Sequence, residues 1–232
     1  MKRLLITISL APFVLYAQQS VAKIEIEQIN RTYAAMTTLH TEVDYLMFAT
    51  YDSDKPVESQ HATLWRNGDD YLYKLNPIET LTTPEYTLTA DQEDKSLMID
   101  RVRGNPAEKQ FGIDLSTALG ACAAVTVLSP SPGIRLIRLD WPSTDMERVD
   151  LQFDAMSRKM MKVTLYYSEA EAWQEDQPPT KARMEIIYRK QDERPAYPKN
   201  LFSFDRFVVK TNGVLAPAPA FRGYELMDNT GF

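Results

Sequence analysis

The sequence predicts a mainly β protein built on one large antiparallel sheet, with two amphipathic helices to cover its apolar side. Three observations lead there: about eleven runs with strand character separated by turn residues, two helical stripes that interrupt them, and no regular alternation of strand and helix of the kind a parallel sheet needs. A sheet of that size twists and curls, so its apolar inside becomes a concave surface that either closes as a barrel or is plugged by helices.

The 232-residue chain opens with MKRLLITISLAPFVLYAQQ, in which Lys2 and Arg3 precede an apolar run from Leu4 to Tyr16 and small Ala17 closes it. This reads as a secretory signal peptide over residues 1–17, too short to span a bilayer as a mature helix, cleaved after Ala17 to leave 18–232 as a single domain. No cysteine lies near Gln18 to carry a lipid anchor, and no later run is apolar enough to cross a membrane, so the mature protein is expected to be soluble and not lipid-anchored, with no integral span. Net charge is −6, and −8 once Lys2 and Arg3 leave, since 26 cations face 32 carboxylates. That balance excludes nucleic acid as the expected partner and argues against adhesion to anionic lipid. Cys122 is the one cysteine, so no internal disulfide is available, and its place on an apolar stripe points to an inert thiol.

The elements follow in order. In KIEIEQINRTYAAMTTLH, from Lys23 to His40, the residues Ile26, Ile29, Tyr33 and Met36 recur at helical spacing and make one apolar stripe. Strand runs then cover Glu42 to Asp52, Val57 to Arg66, Tyr71 to Leu75, Glu85 to Ala90 and Ser96 to Arg103, separated by turns such as Asn67-Gly68 and Asn76-Pro77. In SQHATLWRNGDDYLYKL, from Ser59 to Leu75, Gly68 supplies the positive φ of a tight hairpin. Asn105-Pro106-Ala107-Glu108 has the cap chemistry of a second helix start, with Phe111, Leu115, Leu119 and Cys122 as its stripe. Strands return over Ile134 to Trp141, Arg148 to Asp154, Lys159 to Ser168, Lys181 to Lys190, Phe204 to Lys210 and Gly223 to Asp228. Their alternation, as in Val149, Leu151 and Phe153 against Asp150, Gln152 and Asp154, gives each one buried and one solvated face.

Side chains for chemistry are sparse. His40 and His61 are the two histidines, outside any cluster with metal-ligand spacing, so no metal site is expected. No GxSxG elbow is present, and the carboxylate pairs Asp69-Asp70 and Glu175-Asp176 sit on turns where adjacent side chains point apart. The reading is of a protein that is not an enzyme, with no catalytic residue and no cofactor. SEAEAWQEDQPPT, from Ser168 to Thr180, is a long acidic connection with Trp173 at its centre, a candidate for contact with a protein partner.

With its leader, a helix ending at Leu39-His40-Thr41 before a long strand, the hairpin around Asn67-Gly68 and the element order thereafter, the chain resembles the periplasmic lipoprotein-carrier superfamily of LolA, LolB and RseB. The resemblance implies a curved, unclosed antiparallel half-barrel with both helices over its concave face, residence in the periplasm, and a role as binder or carrier of a hydrophobic ligand, either a lipid or the acyl chain of a lipoprotein. Family carriers have a Pro and an Arg in the second hairpin, the Arg helping to close the lid; Trp65-Arg66-Asn67-Gly68 supplies the Arg without the Pro, making Arg66 a contact residue by analogy. The ligand cavity is expected at Tyr45, Met47, Leu64, Leu72, Met98, Met161, Val163 and Met184, whose thioethers suit irregular acyl chains, with Ile26, Ile29, Tyr33 and Met36 as a removable lid. The alternative is a structural or docking component of an envelope assembly, recognised through Trp173 and the tail Leu215-Ala216-Pro217-Ala218-Pro219.

Overall fold

The computed structural model describes residues 11–102, 115–141, 145–173 and 178–230. The second helix start at Asn105 to Glu108, with Phe111, falls outside them, as do residues 1–10 and Glu175-Asp176. Helix α1 (Ala11–Ala35) leads into the meander β1 (Thr38–Phe48), β2 (Glu58–Asn67), β3 (Asp70–Leu75), β4 (Ile78–Thr82), β5 (Tyr86–Asp91) and β6 (Ser96–Arg101). A short helix α2 (Leu115–Ala121) precedes a second meander of β7 (Ala124–Ser131), β8 (Ile134–Asp140), β9 (Met146–Asp154), β10 (Met160–Glu171) and β11 (Thr180–Asp192). The chain ends with a small hairpin, β12 (Val208–Thr211) and β13 (Val214–Pro217), and a last strand β14 (Glu225–Asp228).

Twelve of these strands form one curved, unclosed sheet in the order β14-β6-β5-β4-β3-β2-β1-β11-β10-β9-β8-β7. The two meanders are joined at its centre by β1 and β11, where His40 stands opposite Asp192 and Met47 opposite Met184. All pairings are antiparallel except at one edge, where β14 lies parallel to β6. Among the described residues no helix is long and apolar enough to cross a membrane.

Register decides which side of the sheet each half buries, because a strand's side chains alternate between faces. On the half from β7 to β11 and β1, the face carrying Val125, Ile137, Leu139, Val149, Leu151, Phe153, Val163 and Leu165 is covered by α1 through Ala22, Ile26, Ile29 and Tyr33, with Met36, Leu39 and Leu119. The β2 to β6 half buries its opposite face: Leu72, Leu81, Leu88, Ala90, Leu97 and Ile99 close against Leu201, Phe207, Val208 and Phe221 from the C-terminal segment. One sheet therefore holds two cores, one on each side. Opposite the first core the sheet is solvated and laced with ion pairs: Arg138 with Asp150, Lys162 and Arg183 with Glu185, and Arg189 with Asp44.

Four local expectations are corrected. The first helix stops at Ala35 rather than His40, and β1 starts at Thr38, because the β2–β3 turn supplies hydrogen bonds to the helix end: Arg66 Nη1 donates to the Tyr33 carbonyl at 2.9 Å and Gly68 N to the Thr37 carbonyl at 2.7 Å. Ile78–Thr82 and Ala124–Ser131, unassigned from the sequence, are strands β4 and β7. Phe204 to Arg206 is a 3-10 turn ahead of β12. The Pro-rich stretch from Leu215 to Pro219 is not a free tail, since Leu215 to Pro217 pair with β12 and Ala218 is buried with its N–H on the Phe207 carbonyl.

Candidate functional site: the concave face beyond helix α1

Helix α1 covers the concave face only as far as the centre of the sheet. Beyond it, the side chains that β4 to β6 present on the same side are half-buried, as are Leu64 of β2 and Tyr73 and Leu75 of β3. The transverse row Leu64, Tyr73, Thr80, Thr89 and Met98 is in direct register across five strands, and Thr41 of β1 continues it. Next to it Tyr45 pairs with Ile186, and Met47 with Met184. Leu64, Tyr73, Thr80, Thr89 and Met98 are half-buried, in contrast to the fully buried leucines behind them, while Thr41 is buried and Met184 and Ile186 pack against the α1 core.

The floor is aromatic with polar tips. Tyr73 Oη donates to Tyr45 Oη at 3.3 Å, and the Thr80 and Thr89 hydroxyls meet at 3.4 Å. Burial pushes the Tyr73 phenol well above its usual range, helped by the neighbouring Tyr45 hydroxyl, and burial does the same to Tyr188. Both therefore stay neutral, as donors and acceptors of hydrogen bonds rather than as charges.

The edge where α1 ends is locked by a closed circuit. Tyr33 Oη donates to Gln191 Oε1 at 2.6 Å and accepts from Met160 N at 2.9 Å, while Gln191 Nε2 donates to the Met160 carbonyl at 2.7 Å. Arg66, 8% exposed, lies across Tyr71 with its guanidinium 5.3 Å from the ring centre and bonds the Tyr33 and Gly68 carbonyls. Tyr197 donates from the other side to the Arg66 carbonyl. Further up the helix, Glu25, 5% exposed, sits between Arg158 at 2.9 Å and Arg135 at 3.3 Å. The apolar stripe explains how α1 is attracted to the sheet, and these bonds fix its rotation and register.

Of the expected cavity residues, Tyr45, Met47, Leu64, Met98, Val163 and Met184 share the concave side, and Val163 is inside the α1 core. Leu72 is not with them: it pairs with Trp65 and Leu81 on the other side and is 0% exposed in the second core. Met161 falls in a register break of β10 and is 37% exposed. Arg66 faces inward and is committed to the chain's own carbonyls, which corrects its reading as a partner contact; Trp173 is half-buried just past β10. Tyr73, Thr80, Thr89 and Ile186 were overlooked as site residues. Their signal is the register across the turn at Gly68-Asp69, which puts Leu64 opposite Tyr73. His40 stacks on Trp65 and His61 bonds Asp44, and among the described residues no three His, Cys, Asp or Glu side chains gather as a metal ion would require.

No family model matches the chain, and no curated protein does. Among solved structures, a LolA superfamily protein from Nitrosomonas europaea is 12% identical with a TM-score of 0.36, over 80% of this chain and 99% of that one. The MucA/MucB complex of Pseudomonas aeruginosa gives 8% identity and a TM-score of 0.46, over 78% of this chain and 60% of that one. An uncharacterised conserved protein from Thermus thermophilus is 7% identical with a TM-score of 0.50 over 99% of its own length. In fold the chain is similar to the Thermus protein across 90% of its length.

Proposed function

We propose that the protein is a non-enzymatic binder or carrier of a hydrophobic ligand, a lipid or the acyl chain of a lipoprotein, working in the periplasm after removal of its leader. The observation that supports this reading is the half-buried row Leu64, Tyr73, Thr80, Thr89 and Met98, which continues the concave face past the end of α1's cover. A core would bury such side chains fully, and a surface strand would alternate them with charges. Methionine and tyrosine at these positions suit an irregular chain with polar groups at intervals. In this reading α1 is the lid, hinged where Arg66 holds its last turn.

The test is native mass spectrometry of the protein recovered from its host, followed by titration with a fluorescent polyene ester. An acyl-bearing adduct, or saturable uptake of the probe that is lost in Leu64→Arg, is the expected result. A ligand-free protein that ignores the probe overturns the reading.

A further inference from the structure

The concave face has a charge pattern as well as a shape, and this deepens the ligand-binding reading on which it rests. Along β2 to β6 the register gives this face the hydroxyls of Tyr73, Thr80, Thr82, Thr87 and Thr89, with Tyr45 across β2. Among the described residues of β1 to β6, Arg66 is the cation on this side, and its guanidinium is occupied by two main-chain carbonyls. The charges at the margins are carboxylates: Glu58 opposite Met47, Asp91 opposite Ser96, Asp100 opposite Thr87, and Glu225 of the last strand opposite Ser96. Asp91 accepts from the N–H groups of Glu93 and Asp94, and Asp100 from the Asn229 amide, so each is held as an acceptor.

We infer that this face selects an uncharged, ester-linked acyl lipid over a free fatty acid or other anionic amphiphile, with the Tyr45–Tyr73 hydroxyl pair serving the ester carbonyl. An ester oxygen needs one donor and no counter-charge, which a neutral phenol provides. An ionised carboxylate brought onto the same floor would leave water, meet no free cation among the described residues of β1 to β6 and face a rim of like charge, all of which oppose it.

The decisive comparison is cis-parinaric acid against its methyl ester, two fluorescent probes that differ in charge and not in chain, titrated into the full protein near pH 8. The ester is expected to bind about tenfold tighter or better. Thr89→Lys, placing a cation in the hydroxyl row, should raise affinity for the acid and close the gap. Tyr45→Phe/Tyr73→Phe, which keeps the ring volume, should weaken the ester several-fold and leave the acid unmoved. Circular dichroism identifies any variant that fails to fold, and the phenylalanine pair decides the matter if the lysine variant does. Equal binding of the two probes, or tighter binding of the acid, overturns the selectivity while leaving the carrier reading in place. Binding of neither overturns both.

Discussion

Asp44 holds its carboxylate between two nitrogens on the solvated side of the sheet, with His61 Nδ1 at 2.8 Å and Arg189 Nε at 2.7 Å. The His61 hydrogen bond, and then that of Arg189, hold its carboxyl below the usual aspartate value of 3.8. A carboxyl whose folded pKa lies below its unfolded one stabilises the fold above the unfolded value, and that contribution is lost as pH falls through the folded one. Asp44→Asn should therefore lower Tm at neutral pH, and the gap should close as pH falls through the folded pKa of Asp44. Because the partners are half exposed, the neutral-pH gap should be below about 1 kcal/mol, or a few degrees at most. Thermal melts of the two proteins across the acid range measure it; a gap that persists undiminished in acid would mean that Asp44 acts through packing and not through charge.

At the scale of elements, α1 is held by more than its stripe. Ala22, Ile26, Ile29 and Tyr33 are buried against the sheet, and the large ones contribute about 1.5–3 kcal/mol each. Glu25 adds a buried carboxylate shared by Arg135 and Arg158. Glu25→Ala should cost about 1–3 kcal/mol, since it leaves two arginines without their common partner, and hydrogen exchange of α1 should quicken more than that of β8 and β9. Uniform quickening across the sheet would show that α1 opens only with the whole fold. The helical stripe was legible in the sequence because its period survives any tertiary context. The helix's end was not, because Arg66 and Gly68 terminate it from a hairpin distant in sequence. The strands were legible from alternation, but alternation is silent on which side faces in. Leu72 looked like a cavity residue for that reason, although the two-residue turn at Gly68-Asp69 had already placed Tyr73, not Leu72, opposite Leu64. The hydroxyl row escaped notice because threonines in a strand look like simple β propensity until five strands are brought into register.

Across the whole molecule, the sheet's two halves depend on different parts of the chain for cover. The last strand also closes an edge: β14 pairs Leu226 with Leu97 and Asp228 with Ile99, and Thr230 accepts from Arg101. A chain ending at Arg222 would leave β6 as an open edge and remove Tyr224 and Leu226 from the second core. It should lose about 2–4 kcal/mol and self-associate through the exposed strand. Light scattering after size exclusion would report the association, and a stable monomer would show that β14 is dispensable to the edge.

The two-sided burial also bears on how the molecule is made. Synthesis makes β1 to β6 before the second meander, and their nearest neighbours in sequence are their neighbours in space. The buried leucines of this first meander are completed by Leu201, Phe207, Val208 and Phe221, and its inner strand β1 finds β11 only after more than three-quarters of the chain has been made. The amino-terminal half can thus hydrogen-bond locally while its leucine side remains uncovered and its β1 edge remains unpaired. A chain interrupted before residue 197 therefore leaves Leu72, Leu81, Leu88 and Leu97 without the cover that Leu201, Phe207 and Phe221 supply.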